Sequence, residues 1–214
     1  AARETLRTDG AGHRKRHEDD TMATATNVEA TAVGTLTWLS DAVSSIVVPV
    51  YQRQYRWDIG GCEQLLSDVR TAADAGEGQT HFIGSILSTA GDDGELILID
   101  GQQRVTTLML LVAALRHTVA DHDPELSSRL DRVLVRPDDP ARTKLRPHAA
   151  WAELYESVVL GRLERTEAES RFEDNYAFFR SQIRLEDAAH VWTGLQRLEH
   201  VSITLGGAAN AQQI

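Results

Sequence analysis

The segment Leu96-Ile97-Leu98-Ile99-Asp100-Gly101-Gln102-Gln103-Arg104-Val105-Thr106-Thr107-Leu108 changes character at its middle. Four aliphatic residues suit a buried strand, and Asp100-Gly101 breaks it. Val105, Leu108, Leu111, Val112, Leu115 and Val119 then recur at helical spacing, so a strongly amphipathic helix is expected. The segment reads as strand, tight turn, polar loop, helix. A helix start offers N–H groups and the positive end of the dipole, which suits a phosphate. Gly101 lets the backbone approach a ligand closely. Arg104 can clamp phosphate oxygens with its planar fork. Gln102 and Gln103 can hydrogen-bond a phosphate, a base or a water. Asp100, at the strand end, can hold Mg²⁺ or polarise water. The spacing is not Walker A, which needs a longer glycine loop and a lysine. The same residues also suit a plain turn with Asp100 as a helix cap.

Working outward, Phe82 to Leu87 forms a second apolar run, and Gly91-Asp92-Asp93-Gly94 lies between the two, which predicts a hairpin. Upstream, Cys62, Leu65, Leu66, Val69 and Ala73 share a helical face with Asp58 as cap. Ile46-Val47-Val48 reads as a strand stopped by Pro49. A short helix is expected from about Gly34 to Asp41. Residues 1 to about 29 are polar and aperiodic and read as a disordered tail, in which Met22 is a candidate native start. Beyond residue 122 the pattern is helical. Asp123-Pro124 opens one helix. Trp151, Leu154, Tyr155, Val158 and Val159 line another, stopped by Gly161. Ala168, Phe172, Tyr176, Phe179 and Ile183 line a third, and Val191, Leu195 and Leu198 a fourth. Val201 to Leu205 suits a last strand. The reading is an α/β (α+β) chain. Its parts are a tail over 1–29, a mixed α/β core over 30–120 and a mainly helical subdomain over 121–214.

The chain has 214 residues, with 42% hydrophobic, 25% charged and a net charge of −10. That charge argues against gripping DNA by charge alone. A local basic window remains at Arg132, Arg136, Arg142, Lys144 and Arg146, although such a window also suits a solvated loop. No apolar run is long enough to span a bilayer. The single cysteine, Cys62, fits a reducing cytoplasm.

A second cluster is Val48-Pro49-Val50-Tyr51-Gln52-Arg53-Gln54-Tyr55-Arg56-Trp57. Tyr51, Tyr55 and Trp57 suit stacking on a ligand or packing into the core. Arg53 and Arg56 suit phosphates. His81, before Phe82-Ile83-Gly84-Ser85-Ile86, reads as structural.

Taken in order, Pro49 to Trp57 (Pro-x-Tyr-Gln-Arg-x-Tyr-x-Trp), His81 to Ser85 (His-Phe-x-Gly-Ser) and Ile99 to Leu108 (Ile-Asp-Gly-Gln-Gln-Arg-x-Thr-Thr-Leu) resemble the N-terminal domain of GmrSD-type restriction proteins, including the SspE type. The resemblance implies a ParB/sulfiredoxin-like fold in which the Asp-Gly-x-x-Arg element binds nucleotide phosphates. It implies a nucleotide site at Gly101, Gln102, Gln103, Arg104, Thr106 and Arg53. Asp100, Gln103 and Arg104 would be catalytic, with Mg²⁺ at Asp100 and GTP or ATP as the nucleotide. It further implies a role against modified DNA, with glucosylated hydroxymethylcytosine and phosphorothioate among the modifications, and the side chains of Pro49, Val50, Tyr51, Gln52 and Arg53 are the expected sensor pocket. An HNH nuclease domain would follow in the full-length anti-phage protein. On that comparison, the end of the chain at Ala208 to Ile214 falls where the family runs on. Gln102 stands where sulfiredoxin carries its cysteine, which disfavours reductase chemistry. The functional expectation is an NTP hydrolase that regulates a DNA nuclease. The alternatives are a non-enzymatic sensor of modified DNA and a nuclease within the ParB-like domain itself. The latter is opposed by the lack of a dense Asp/Glu/His cluster in the sequence.

Overall fold

A computed structural model of the chain describes residues 27–41, 45–49, 55–162 and 170–206. In chain order the elements are strand β1 (Asn27–Gly34), helix α1 (Thr35–Asp41), β2 (Ile46–Val47), α2 (Ile59–Asp74), β3 (His81–Ala90), a 3-10 turn (Asp92–Gly94), β4 (Leu96–Asp100), α3 (Gln102–Val119), α4 (Pro124–Leu134), β5 (Leu145–Arg146), α5 (Ala149–Val159), α6 (Arg171–Gln182), a second 3-10 turn (Leu185–Asp187), α7 (Ala188–Gln196) and β6 (Leu198–Gly206). The fold is mixed α/β, with a six-stranded sheet and, among the described residues, seven α-helices.

The strand order is β1-β6-β3-β4-β2-β5. The expected hairpin is its centre: β3 and β4 are antiparallel, with Ser88 opposite Leu98. Strand β6 runs parallel to β3 and antiparallel to β1. Strand β2 is parallel to both β4 and β5. The last described strand therefore lies inside the sheet, and the part after residue 121 contributes β6 and β5 to the layer formed by the part before it.

Three helices start as the sequence dictates. Asp58 accepts a hydrogen bond from Gly61 N, Asp123 from Leu126 N, and Ser170 from Glu173 N. Each side chain satisfies an N–H that the first turn leaves without an intrahelical acceptor.

Four readings need correction. Helix α3 is not amphipathic: every residue from Val105 to Leu115 is buried. The positions that the helical period assigned to solvent include Met109, Leu110, Ala113 and Ala114, so no polar face exists before Arg116. Helices α2, α4, α5, α6 and α7 all pack on it, and a helix apolar all round belongs in the interior. Residues 27–29, read as tail, begin β1, whose backbone groups pair along its full length with β6. Leu198, read as the end of a helical face, opens β6. The inward-facing residue at the end of α2 is Ala72 rather than Ala73. Residues 1–26 and Ala168 lie outside the described residues.

The basic window contains a structural surprise. Lys144 has no exposed surface, and its ammonium donates to Leu39 O (2.8 Å), Ser40 O (3.0 Å) and Arg132 O (2.8 Å). It fastens the carbonyl ends of α1 and α4 to the strand that follows. Burial pulls its pKa below the usual lysine value, opposed by Asp41. Replacing Lys144 with Met keeps the stem but strands one buried carbonyl and two part-buried ones. The expected cost is about 2–4 kcal/mol of stability, read as a lower urea midpoint. A loss below about 0.5 kcal/mol, the range of ordinary surface substitutions, would show that the ammonium is dispensable.

Candidate functional site

The candidate site lies where β4 passes into α3. Asp100 is the last residue of β4 and is exposed. Its Oδ1 accepts the N–H of Gly101 at 2.8 Å. Gly101 adopts φ 88°, ψ 2°, the left-handed region. A Cβ there would meet Ile86 Cγ1 at 3.1 Å, so the turn is pressed against β3. No side chain caps α3.

The side chains after Gly101 go three ways. Gln102 is buried and folds back, its Nε2 donating to Leu98 O (3.2 Å) and Ile99 O (3.1 Å), which braces the turn against the strand it leaves. Gln103 Oε1 accepts the backbone N–H of Arg56 at 2.8 Å. Arg104, half-buried, donates from its guanidinium to Ser85 O at 3.0 Å. Thr106 is buried. The structure thus places Asp100, the Gly101 backbone and Arg104 at the mouth of the turn, with the side chains of Gln102 and Thr106 turned inward.

Arg104 rests on a register shift in β3, between Phe82 and Ser85 opposite β6. Gly84 lies within it at φ 102°, and a Cβ there would meet the Arg104 guanidinium at 3.0–3.2 Å. The small residue makes the seat for the cation.

The sequence reading missed His200. It is fully buried on β6, its Nδ1 sits 3.1 Å from Thr35 Oγ1, and its ring meets Trp38 edge-on at 4.9 Å. Its Nε2 has no hydrogen-bond partner among the described residues. Burial, assisted by the charge of Arg104, pushes its pKa down to about 4. The available signal was a lone histidine at an inward position of a strand alternation. His81 opens β3, 3.8 Å from Asp68, in keeping with a structural role.

Among the described residues, no group of three or more His, Cys, Asp or Glu could hold a metal ion. No helix of those residues is long and apolar enough to cross a membrane. Cys62 is a buried free thiol, its pKa pushed up to about 12 by burial and by Asp58 and Glu63.

With this geometry in hand, a match to known families is decisive. The family of GmrSD restriction endonuclease N-terminal domains matches residues 35–214. The chain belongs to that family. No curated protein matches the chain. The three motifs of this GmrSD-type domain lie within the matched span, whereas β1 precedes it.

In this GmrSD-type domain the second cluster divides. Tyr55 stacks on Phe172 with ring centroids 5.0 Å apart, and Trp57 packs against the core, so both are anchors. Arg56 is exposed. Pro49 lines a cavity of about 490 Å³ together with Val48, Arg136, Arg142, Arg146 and His148. Val50, Tyr51, Gln52 and Arg53 lie outside the described residues. The arginines around Pro49 are occupied by carboxylates: Arg136 by Asp138, Arg142 by Glu156 and Arg146 by Glu95.

His117 repeats the state of His200. Half-buried, and beside Arg116 and Arg180, it is also pushed down to about 4. Both rings are neutral in the fold but titrate near 6.5 when unfolded. The unfolded state therefore binds more protons between those values. The stability present above pH 6.5 falls as pH drops towards 4. Urea unfolding from pH 7 to 4 should show this fall, and His117→Asn should flatten it. A flat wild-type profile would refute the neutral rings.

Proposed function

We propose that this chain is the NTP-hydrolysing, DNA-modification-sensing domain of an anti-phage restriction protein, acting on a nuclease domain elsewhere in the full-length protein. The observation that carries the reading is the placement of Arg104 at the uncapped start of α3, beside the left-handed Gly101 and seated on Gly84. A nucleotide phosphate entering this corner meets the helix dipole, main-chain N–H groups and a guanidinium whose partner is a carbonyl rather than a carboxylate. Gln102 contributes through its backbone N–H, whereas Thr106 lies past the first turn and supports the helix from its buried side. Arg53 is carried as a further phosphate contact from the motif.

The residues fit a nucleoside triphosphate, GTP or ATP, with Mg²⁺. Magnesium bound to nucleotide needs only one or two carboxylates besides phosphate oxygens, and exposed Asp100 can supply one. The ion would offset charge on the phosphates. Gln103 would hold the turn or the attacking water, and Arg104 the charge that develops on the phosphoryl oxygens.

The partner is DNA, as the family's restriction role suggests, and modified phage or host DNA is the proposed signal. Pro49 to Arg53 is the proposed sensor, with Pro49 facing the cavity shared with β5 and α5. The apolar side chains of Pro49, Val50 and Tyr51 would disfavour a hydrated phosphate oxygen and tolerate the softer sulfur of a phosphorothioate. The lone carboxylate at the turn also suits a second reading, a sensor that binds nucleotide without turning it over.

Arg104→Ala should lower NTP hydrolysis by about 10²–10³-fold, by analogy with the loss of one preorganised donor, while the melting curve stays near wild type. Hydrolysis at the wild-type rate in a folded Arg104→Ala protein would remove the site from α3. Phosphate release measured with and without modified duplex separates the two readings, because the pure sensor binds nucleotide and releases none.

A further inference from the structure

We propose that Asn175, on α6 and remote in sequence from all three motifs, is a positioning residue for the turn at the start of α3, acting through Tyr55 and Thr107. The proposal rests on the reading of that turn as a nucleotide-phosphate site.

The hydrogen bonds run in one direction. Thr107 has a single hydroxyl proton and gives it to Gln103 O at 2.8 Å. Its oxygen, 2.7 Å from the Tyr55 hydroxyl, therefore accepts the phenol proton. The phenol oxygen in turn accepts from Asn175 Nδ2 at 2.7 Å. The other proton of that amide goes to Trp57 O at 3.0 Å. A flipped amide would set Oδ1 against the Trp57 carbonyl, two acceptors face to face, so the orientation is fixed. Burial raises the Tyr55 pKa and keeps the phenol protonated, as the relay requires.

The chain of bonds ends on the residue that needs fixing. Gln103 is held twice, at its carbonyl by Thr107 and at its side chain by Arg56 N. One residue on either side of it stand Gln102 and Arg104. Tyr55 and Trp57 O, which flank Arg56, are both set by Asn175, while Phe172, one turn away on α6, carries the Tyr55 ring. The depth of α6 therefore decides where residues 102–104 sit relative to Gly84 and Ser85. Asn175 is fully buried, and its Oδ1 has no partner among the described residues. A stranded buried acceptor is costly. That cost is offset by the two bonds the amide donates, to Tyr55 and to Trp57.

The test deletes hydroxyls one at a time. Tyr55→Phe keeps the stacked ring, Thr107→Val keeps the volume, and Thr107→Ser keeps the hydroxyl as the rescue. Amide hydrogen exchange at residues 101–104 and NTP affinity are read in each full chain, beside a melting curve. Each deletion should speed exchange at 101–104 and raise the NTP Kd by about fivefold to tenfold, the effect of one net hydrogen bond. Thr107→Ser should stay near wild type, and Asn175→Ala, if folded, should match Tyr55→Phe. Unchanged exchange and affinity in both deletions, or an equal loss in Thr107→Ser, would overturn the proposal. Faster exchange in the deletions of a protein whose wild type binds no NTP would uphold the relay and overturn the nucleotide reading instead.

Discussion

Helix α3 is enclosed from Val105 to Leu115, and the other elements are arranged around that requirement. Burying a large apolar side chain contributes roughly 1.5–3 kcal/mol. The run Leu108 to Leu111, four large residues on all sides of one turn, therefore far outweighs the cost of enclosing Thr106 and Thr107, whose hydroxyls can bond locally. A helix without a wet face must be covered on every side, which is why α4, α5, α6 and α7 follow it in the chain and pack back on it. What cannot be covered is its start. A helix end needs partners for its N–H groups or access to water, and the polar residues of α3 are concentrated there. Enclosure of the helix body and openness of its N-terminus are two consequences of one burial pattern.

The electrostatics point to the same corner. With a net charge of −10, the protein cannot recruit a polyanion through its overall field. The window around Arg142 suggested a local exception, but Lys144 is consumed by three helix-end carbonyls and the arginines face Asp138, Glu156 and Glu95. Exposed pairs of this kind contribute at most about 1 kcal/mol each to stability, yet they still neutralise the charge that a phosphate would meet. Arg104 binds a carbonyl, so its charge is not cancelled by that partner. Position, not the number of basic residues, distinguishes Arg104 from the arginines of that window.

Local signals in the sequence were reliable where the determining groups are neighbours. Asp100-Gly101 marks the strand end because Gly101 takes the left-handed turn without strain, and Asp58 and Asp123 mark helix starts because a cap acts over three residues. The hairpin from β3 to β4 was legible for the same reason. For α3 the all-round apolar run from Leu108 to Leu115 was itself legible and was passed over by the period count; only which helices cover its second face is decided elsewhere in the chain. Other failures occurred where the partner is distant. Strand β1 has little apolar alternation of its own and is fixed by β6, at the other end of the described chain. At the site, the residue types of Asp100 to Arg104 were legible. The inward turn of Gln102 and the seat on Gly84 were not, since both depend on strands that meet only in the fold.

The site is therefore a corner held by separated parts of the chain. The turn comes from residues 100–104, the seat of Arg104 from β3, the neutral ring near its charge from β6, and the clamp on Gln103 from residues 55–57 and α6. Each of these is rigid for a local reason: a register shift, a buried strand, a stacked aromatic pair. A corner assembled in this way holds the Arg104 guanidinium in place through contacts with β3. It also means that the geometry at Arg104 is no property of the Asp-Gly-x-x-Arg pattern alone. Within the same pattern, a chain lacking Gly84 would have no seat for the guanidinium, and one lacking the hydroxyl of Tyr55 would lose the bond that leads from α6 to Gln103.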